Sequence, residues 1–194
     1  MPVRVVNAEE SVSLDAAAIA SGTASRALMR AAAFAAATVL NVRYPDELRR
    51  GVTIFTGPGN NGGDGWVLAS ALASTGIAVA VREVVAARTP DAIAERELAR
   101  HMISEGSSVR GVLVDAMLGT GSTGALRGAI MHAAVELAAA RNDGAIVVAL
   151  DVPSGVDATG GATDGCVHAD LTISFGSCKR GALVSRTACG EIVV

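Results

Sequence analysis

Cysteine is scarce in this sequence, and its spacing excludes two common kinds of site. The 194 residues include three cysteines, Cys166, Cys178 and Cys189. Their number is odd and neighbouring ones are 11 or more residues apart, which matches neither a disulfide framework nor a pair of zinc ligands. We therefore expect packed or partly exposed thiols.

Long hydrophobic runs and a basic, apolar N-terminus are also lacking. Hydrophobic residues make up 51% of the chain, yet stretches such as Ala31–Leu40 fall well short of the ~18 residues that span a bilayer. The opening residues have neither the basic patch nor the apolar region of a signal peptide. We expect a cytoplasmic protein that makes no contact with a membrane.

Neither sign of charge dominates the chain. The chain has sixteen basic and nineteen acidic residues, which give a net charge of −3 and are scattered along the sequence. This pattern gives no electrostatic footprint for nucleic acid, so we expect small-molecule partners. Lys179 is the only lysine among the basic residues.

Alternating strand and helix patterns predict one α/β domain over residues 1–194. Strands separated by single helices favour a mainly parallel, Rossmann-like sheet covered on both faces, a three-layer α/β/α sandwich. The predicted strands are Val52–Phe55, Ile77–Val85, Val112–Asp115, Ala145–Leu150, Leu171–Phe175 and Glu191–Val194. The predicted helices are Ser13–Ala20, Ala24–Leu40, Trp66–Ser74, Pro90–Glu105 and Gly124–Arg141.

The first of these strands runs into a loop that is rich in glycine. Gly57, Gly59 and Gly62 satisfy G-x-G-x-x-G, a spacing that allows a tight turn and a close approach of the backbone to a phosphate. The segment Asn60–Asp64 adds two amides and a carboxylate, which a plain dinucleotide loop does not need. Side-chain oxygens at this place suggest chemistry or a bound ion.

Two further strands end in loops of the same form. Val112–Asp115 leads into a loop with Gly119, Gly121 and Gly124, and Ala145–Leu150 leads into Asp151-Val-Pro-Ser154-Gly. Ligands of open α/β sheets bind beyond the carboxyl ends of the strands, where neighbouring loops meet. We therefore expect the three loops to build one site.

Three segments resemble the signature motifs of the NAD(P)H-hydrate epimerase family, also called the YjeF N-terminal domain. They are TGPGNNGGDGWVLA, VDAMLGTG and ALDVPSGVDATGG, and they match in order and spacing. Weaker similarity extends to SLDAAAIASGTASRALMRAAA and HADLTISFGSCKRGAL. The resemblance covers almost the whole chain and implies an enzyme that interconverts the R and S epimers of hydrated NADH and NADPH (NADHX and NADPHX).

The resemblance also implies roles for individual residues. It assigns a potassium ion to Asn61, Asp115 and Ser154. It assigns substrate contacts to Asn60, Asn61, Gly62, Gly63, Asp64, Gly119, Thr120, Gly121, Ser122, Thr123, Gly124, Ala125 and Asp151. It implies a homodimer and an ADP-dependent dehydratase, fused or separate, as partners.

Asp151 is our candidate for the acid/base group of such an enzyme. The substrate carries a hydroxyl at C6 of the nicotinamide ring, and a carboxylate can both donate and accept the proton that this chemistry moves. A plainer interpretation is that Asp115, Asp151 and Ser154 only cap strand ends by bonding local amides.

Two other function classes remain open from the sequence. In an ordinary nicotinamide-dependent oxidoreductase, Asn60 and Asn61 would only occupy left-handed turn positions, and Glu83 would bind a ribose. Such an enzyme needs a proton donor near the nicotinamide, and the single tyrosine, Tyr44, precedes the first sheet strand. A non-catalytic nucleotide- or protein-binding module is the other class, because animal relatives of the family also bind an apolipoprotein.

The remaining polar candidates have weaker support. His101, His132 and His168 share no motif with a nucleophile or a second ligand, so we interpret them as structural. Trp66 is expected in the core. Lys179 is either solvated or a compact ammonium that approaches a substrate phosphate or orders its loop.

Overall fold

Ten strands and eight helices form the computed structural model, which describes residues 3–103 and 111–194. The strands are β1 (Val5–Val6), β2 (Val52–Thr56), β3 (Val79–Glu83), β4 (Val112–Ala116), β5 (Ile146–Leu150), β6 (Val156–Asp157), β7 (Gly161–Ala162), β8 (Leu171–Ile173), β9 (Cys178–Lys179) and β10 (Glu191–Val193). The helices are α1 (Ala8–Ala20), α2 (Ser25–Arg43), α3 (Pro45–Leu48), α4 (Asn60–Ser74), α5 (Pro90–Ala99), α6 (Gly128–Asn142), α7 (Arg180–Val184) and α8 (Arg186–Cys189).

Six of these strands form the central sheet, in the order β10-β8-β5-β4-β2-β3. Every pairing in the sheet is parallel, and the register places Asp115 of β4 beside Phe55 of β2 and Ala149 of β5. The predicted parallel sheet is therefore confirmed. If the six sheet strands are numbered 1 to 6 along the chain, starting with β2, their order across the sheet from the β3 edge is 2-1-3-4-5-6. Flavodoxin-like folds share the first five places of this order, whereas dinucleotide-binding Rossmann folds have the order 3-2-1-4-5-6.

Helices cover both faces of the sheet, which confirms the three-layer arrangement. On one face, α2 and α4 pack against the strands, and α2 buries residues at helical spacing, among them Met29, Ala33 and Leu40. Helix α5 packs on α4, and its buried Glu95 pairs with two arginines of α2. On the other face, α6 packs its buried residues against Val147 and neighbouring strand residues.

Three helix starts differ by several residues from the prediction. Helix α1 begins at Ala8 and not at Ser13. Helix α4 begins at Asn60 and not at Trp66, so Gly62 and Gly63 lie inside a helix instead of a loop. A Cβ on Gly62 would lie 2.1 Å from the Gly57 carbonyl oxygen, and one on Gly63 would lie 2.6 Å from the Met29 methyl carbon. These glycines therefore permit close packing. Helix α6 begins at Gly128 and not at Gly124. Both glycines have a positive φ, so regular right-handed helix geometry does not extend back over this segment.

The other predicted elements are confirmed with shorter or shifted ends, and several short elements were not predicted. The unpredicted elements include the parallel pair β1 and β9, the hairpin of β6 and β7, and the helices α3, α7 and α8. Elements of two to five residues carry too little periodicity to be identified from sequence. The predicted end of one helix at Glu105 lies outside the described residues.

No helix within the described ranges is both long enough and apolar enough to cross a bilayer. The cytoplasmic location stays a prediction. Cys178 and Cys189 are buried and Cys166 is partly exposed, all three as free thiols, which confirms the expected state of the cysteines.

The packing of α4 makes a testable prediction about Gly62. Alanine favours a helix over glycine by about 1 kcal/mol, so Gly62→Ala would stabilise the protein if space were available. Because the new Cβ meets the Gly57 carbonyl, we expect a loss of about 1–3 kcal/mol in the free energy of unfolding. Urea denaturation measures this, with Gly121→Ala as control, since a Cβ at Gly121 meets no heavy atom within 4 Å. Equal stability of the two variants would contradict the packing.

Candidate active site

The candidate site lies at the carboxyl ends of β2, β4 and β5. The strand order reverses between β2 and β4, which is where open α/β sheets bind ligands. Helix α4 begins there after Gly59, which gives no side-chain cap, so the first amides of the helix are available to an anion. The loops that follow β4 and β5 complete the same edge of the sheet.

Asp115 and Ser154 connect the loops after β4 and β5. One carboxylate oxygen of Asp115 accepts bonds from the Ser154 hydroxyl (2.7 Å) and the Met117 amide (3.1 Å), and the other accepts the Ser154 amide (2.7 Å). Asp115 is fully buried, and burial raises the pKa of its carboxyl to about 6 against the lowering effect of these hydrogen bonds. We call this pair the Asp115–Ser154 clamp.

Asn61 joins the clamp through the backbone of Leu118. Its Nδ2 donates to the carbonyls of Leu118 (2.9 Å) and Leu150 (3.3 Å), and the Leu118 amide donates to the Ser154 hydroxyl (3.0 Å). The structure therefore brings Asn61, Asp115 and Ser154 together. Their local hydrogen bonds also satisfy the capping interpretation, so proximity alone does not decide between the two.

One atom of this group has no hydrogen-bond partner among the residues that the structure describes. It is the buried Asn61 Oδ1, although a buried amide oxygen is normally satisfied. A neutral oxygen in the same hydrogen-bonded group as a buried carboxylate is a donor set that suits a hard cation. Among the described residues, no three His, Cys, Asp or Glu side chains come together as a metal site. Any cation here would therefore depend on amide, hydroxyl and carbonyl oxygens together with the Asp115 carboxylate.

Asp151 is held in an unusual backbone conformation. Its φ is +66°, and it is the one non-glycine residue with a positive φ in the part of the chain that the structure describes. Its Oδ2 accepts bonds from both the amide and the hydroxyl of Thr120, each at 2.7 Å. A Cβ on Gly119 would lie 2.9 Å from the same oxygen, so glycine is needed for this approach. Strain of this kind concentrates at functional sites.

Lys179 contacts the other oxygen of Asp151. Its Nζ lies 2.6 Å from Asp151 Oδ1 and donates to the Phe175 carbonyl at 2.7 Å. Lys179 is 1% exposed, so the interpretation as a solvated lysine is wrong, and its bond to the Phe175 carbonyl supports the interpretation that it orders its own loop. Contact with a substrate phosphate stays the alternative prediction. The ammonium is buried and already paired with the Asp151 carboxylate. The only sequence signal for this role was a single lysine in an arginine-rich chain.

Two more carboxyl groups share this region. Burial raises the pKa of Asp64 well above its usual value, Asp151 and Asp15 raise it further, and Lys179 lowers it. The pKa of Asp15, on α1, is raised by burial and by Asp151 and lowered by Lys179. We call Asp15, Asp64, Asp151 and Lys179 the charge cluster. Asp15 was not predicted, because nothing in its helix pattern distinguishes it from a surface acid.

The other predicted contact residues fall into two groups. Gly62 and Gly63 are buried and serve the packing of α4, and Asn60 is exposed at its start. The loop after β4 forms a rim in which Gly119, Thr120 and Ser122 are partly exposed. The fully exposed members of that rim are Gly121, Thr123, Gly124 and Ala125.

Comparison with known proteins identifies the family. The family model described as YjeF-related protein N-terminus matches residues 25–181. This chain belongs to that family. A protein of Pirellula staleyi named NAD(P)H-hydrate epimerase is 38% identical over 165 residues, covering 75% of this chain and 71% of that protein. One of Cenarchaeum symbiosum with the same name is 33% identical over 191 residues, covering 90% and 86%.

Longer relatives agree with this membership, and a solved structure agrees with the fold. The bifunctional NAD(P)H-hydrate repair enzyme Nnr of Coxiella burnetii is 35% identical over 193 residues, which is 93% of this chain and 38% of that enzyme. The chain spans about two fifths of the length of such bifunctional relatives. A crystal structure of the yeast protein ynu0 superposes with a TM-score of 0.82 at 23% identity, covering 95% and 85% of the two chains. That similarity supports the fold.

The residues that an oxidoreductase would need are engaged elsewhere in this YjeF-related chain. Glu83 pairs with Arg96 of α5 at 2.8 Å and accepts the Ala87 amide, which leaves it a structural role. Tyr44 lies near Asp170 and Glu191, at the amino-terminal ends of β8 and β10 and therefore at the opposite end of the sheet.

Two further expectations concern aromatic and histidine side chains. Trp66 is 7% exposed, as expected for a core residue. His101, His132 and His168 are all exposed, which agrees with their interpretation as surface histidines.

The raised pKa of Asp64 predicts a pH dependence of stability. The folded protein keeps a proton that the unfolded chain loses above its ordinary pKa of 3.8, so the contribution of Asp64 becomes less favourable as pH rises through the folded-state pKa. Asp64→Asn has no proton to lose. We expect its free energy of unfolding, relative to wild type, to increase as pH rises above 3.8, until the carboxyl of the folded protein ionises as well.

Chemical denaturation at several pH values measures this difference. The exposed Asp143 provides the control variant, Asp143→Asn, which should show no such trend. A constant difference between Asp64→Asn and wild type across that range would mean that burial does not perturb the Asp64 carboxyl.

Proposed function

We propose that this chain interconverts the R and S epimers of NADHX and NADPHX. The observation that carries the proposal is the Asp151 carboxylate, which Thr120 and Lys179 hold at the ligand-binding edge of the sheet. The family and the two relatives named NAD(P)H-hydrate epimerase, which align with most of this chain, support the same activity. The engaged Glu83 and the distant Tyr44 favour it over an oxidoreductase.

A hydrated dinucleotide has features that this edge of the sheet can recognise. Its pyrophosphate suits the uncapped start of α4, where Asn60 and Asn61 begin the helix and where amides and the helix dipole favour an anion. The rim from Gly119 to Ala125 lies beside Asp151 and would contact the nicotinamide half. We infer that Asp64, with its raised pKa, faces the same part of the substrate.

The chemistry at C6 suits a carboxyl group. Protonation of the C6 hydroxyl lets it leave as water while the ring nitrogen supplies an electron pair, which produces a ring cation. Water then adds to the other face and returns a proton, so no atoms or electrons are gained or lost overall. Opening and reclosure of the ring is the other balanced path. Asp151 can carry the proton in either path, and its negative charge stabilises a cation beside it.

Purified protein and a mixture of NADHX epimers test the activity directly. A separate S-specific dehydratase removes the S epimer, so the remaining R epimer disappears only as fast as it is converted. We expect this chain to make the R epimer disappear faster than its spontaneous rate. If the R epimer persisted at its spontaneous rate, the enzymatic proposal would fail and a binding module would be the better interpretation.

Asp151→Asn tests the assignment of the acid/base group in the same assay. The variant keeps the size of the side chain but cannot transfer the proton, so turnover should fall by about 10²- to 10⁴-fold with a smaller change in KM. Asp143→Asn, at an exposed position outside the site, is the matched control. Turnover within a few-fold of wild type would move the role to another group, with Asp64 as the next candidate.

We further propose a potassium ion bound by Asn61, Asp115 and Ser154. The support is the unpaired Asn61 Oδ1 close to the buried clamp. A bound ion would supply a fixed positive charge at the clamp. Asn61, Asp115 and Ser154 would bind the ion and so keep their three loops together.

Exchange of potassium for tetramethylammonium at constant ionic strength tests this ion. We expect the midpoint of thermal unfolding to fall in the larger cation, which cannot enter the clamp, and activity to fall with it. Asp115→Asn should be insensitive to the exchange, and Asp143→Asn should respond as wild type does. An unchanged midpoint for wild type would leave these residues as strand-end caps.

The partners follow from the same activity. We propose that the S epimer passes to an ADP-dependent dehydratase, separate or fused, since the longer relatives are named as bifunctional repair enzymes. A homodimer stays a prediction.

A further inference from the structure

We propose that Lys179 is a positioning residue that holds the Asp151 carboxylate in its reactive orientation without contacting the substrate. This inference rests on the proposed function and names a residue on which its rate depends. The buried Lys179 ammonium lies 2.6 Å from Asp151 Oδ1, whereas Thr120 donates its bonds to the other carboxylate oxygen, Oδ2.

The ammonium is fixed from several directions. Lys179 lies in β9, whose backbone pairs with β1 in the register Val6 to Lys179, and it directly precedes α7. Its Nζ donates to the Phe175 carbonyl at 2.7 Å, and its side chain is 2% exposed. A lysine that is anchored in this way loses little further conformational freedom when it binds a carboxylate.

Asp151 depends on contacts of this kind for its geometry. Its backbone has a φ of +66°, a strained conformation for a residue with a Cβ, so surrounding contacts must determine it. Thr120 and Lys179 each bind one oxygen, which fixes the rotation of the carboxylate group. Loss of the Lys179 contact would leave Oδ1 free and allow the group to rotate away from the substrate.

Lys179 also balances the charges around Asp151. The groups that face it are Asp15 on α1, Asp64 on α4 and Asp151 itself, and Lys179 opposes the effects of burial on the first two. Without the ammonium, three carboxyl groups would share one region with no cation among them.

Stability alone does not account for a buried pair of this kind. Removing a lysine and an aspartate from water costs energy that their attraction often fails to recover, and apolar replacements can be as stable. The position of the pair at the ligand edge of the sheet indicates that orientation is its function. A positioning role predicts an effect on turnover, whereas a substrate contact predicts an effect on KM.

The experiment compares Lys179→Met, Lys179→Gln and Lys179→Arg with wild type in the epimer assay. We expect the two uncharged variants to lower kcat by about 10²-fold with KM changed less than about threefold, as misplacement of a reacting group does. Lys179→Arg retains the charge and should recover part of kcat. Arg180→Met, at an exposed neighbouring position, is the matched control and should keep wild-type kcat.

Crystal structures of wild type and Lys179→Gln give a second measurement that needs no substrate. The Asp151 carboxylate should keep its bonds to Thr120 in wild type and be rotated out of that position in Lys179→Gln. If wild type lacks epimerase activity, the proposed function fails and this comparison still tests the pair. An unmoved carboxylate, a wild-type kcat in the uncharged variants, or a rise in KM alone would each overturn the positioning role. Lys179→Gln keeps a donor for Phe175 and serves if Lys179→Met does not fold.

Discussion

The hydrogen bonds between Asp115 and Ser154 are the constraint on which the rest of the site depends. A single buried carboxylate accepts the amide and the hydroxyl of Ser154, and so fixes the end of β4 against the loop that follows β5. The Leu150 carbonyl accepts a bond from Asn61, and Ser154 is bound to Asp115, so the short turn between them has little freedom. Asp151 lies in this turn and adopts its positive φ there. The clamp therefore turns the sheet edge into a rigid support for one carboxylate.

The opposite side of that carboxylate is built from distant parts of the chain. Lys179 lies in a two-residue strand that pairs with β1, so the N-terminal segment helps to place the ammonium beside Asp151. Asp15 on α1 and Asp64 on α4 complete the charge cluster. Pairs of carboxyl groups whose environments differ are a common basis for acid and base roles, and here Asp64 is buried while Asp151 is held by an ammonium.

Sequence patterns could predict the clamp, Asp64 and Asp151 as site residues but could not predict that Asp15 and Lys179 join them in the charge cluster. Asp115, Asp151 and Ser154 follow strongly apolar strands, and parallel strands bring their carboxyl ends to one edge, so local patterns were sufficient. Lys179 and Asp15 depend on long-range pairing through two-residue strands that have no periodicity. Gly62 and Gly63 were assigned to a loop because glycine permits both a turn and close helix packing, and only Gly57 and Met29 decide between them.

A crystal structure of the protein with bound NADPHX tests the central claim most directly. The account predicts that the pyrophosphate lies at the start of α4 and that the C6 hydroxyl lies within about 3.2 Å of an Asp151 carboxylate oxygen, close enough for proton transfer. It also predicts that Lys179 still contacts Asp151 and remains out of reach of the ligand. A nicotinamide ring bound away from Asp151, or a ligand phosphate bound to Lys179, would contradict the account.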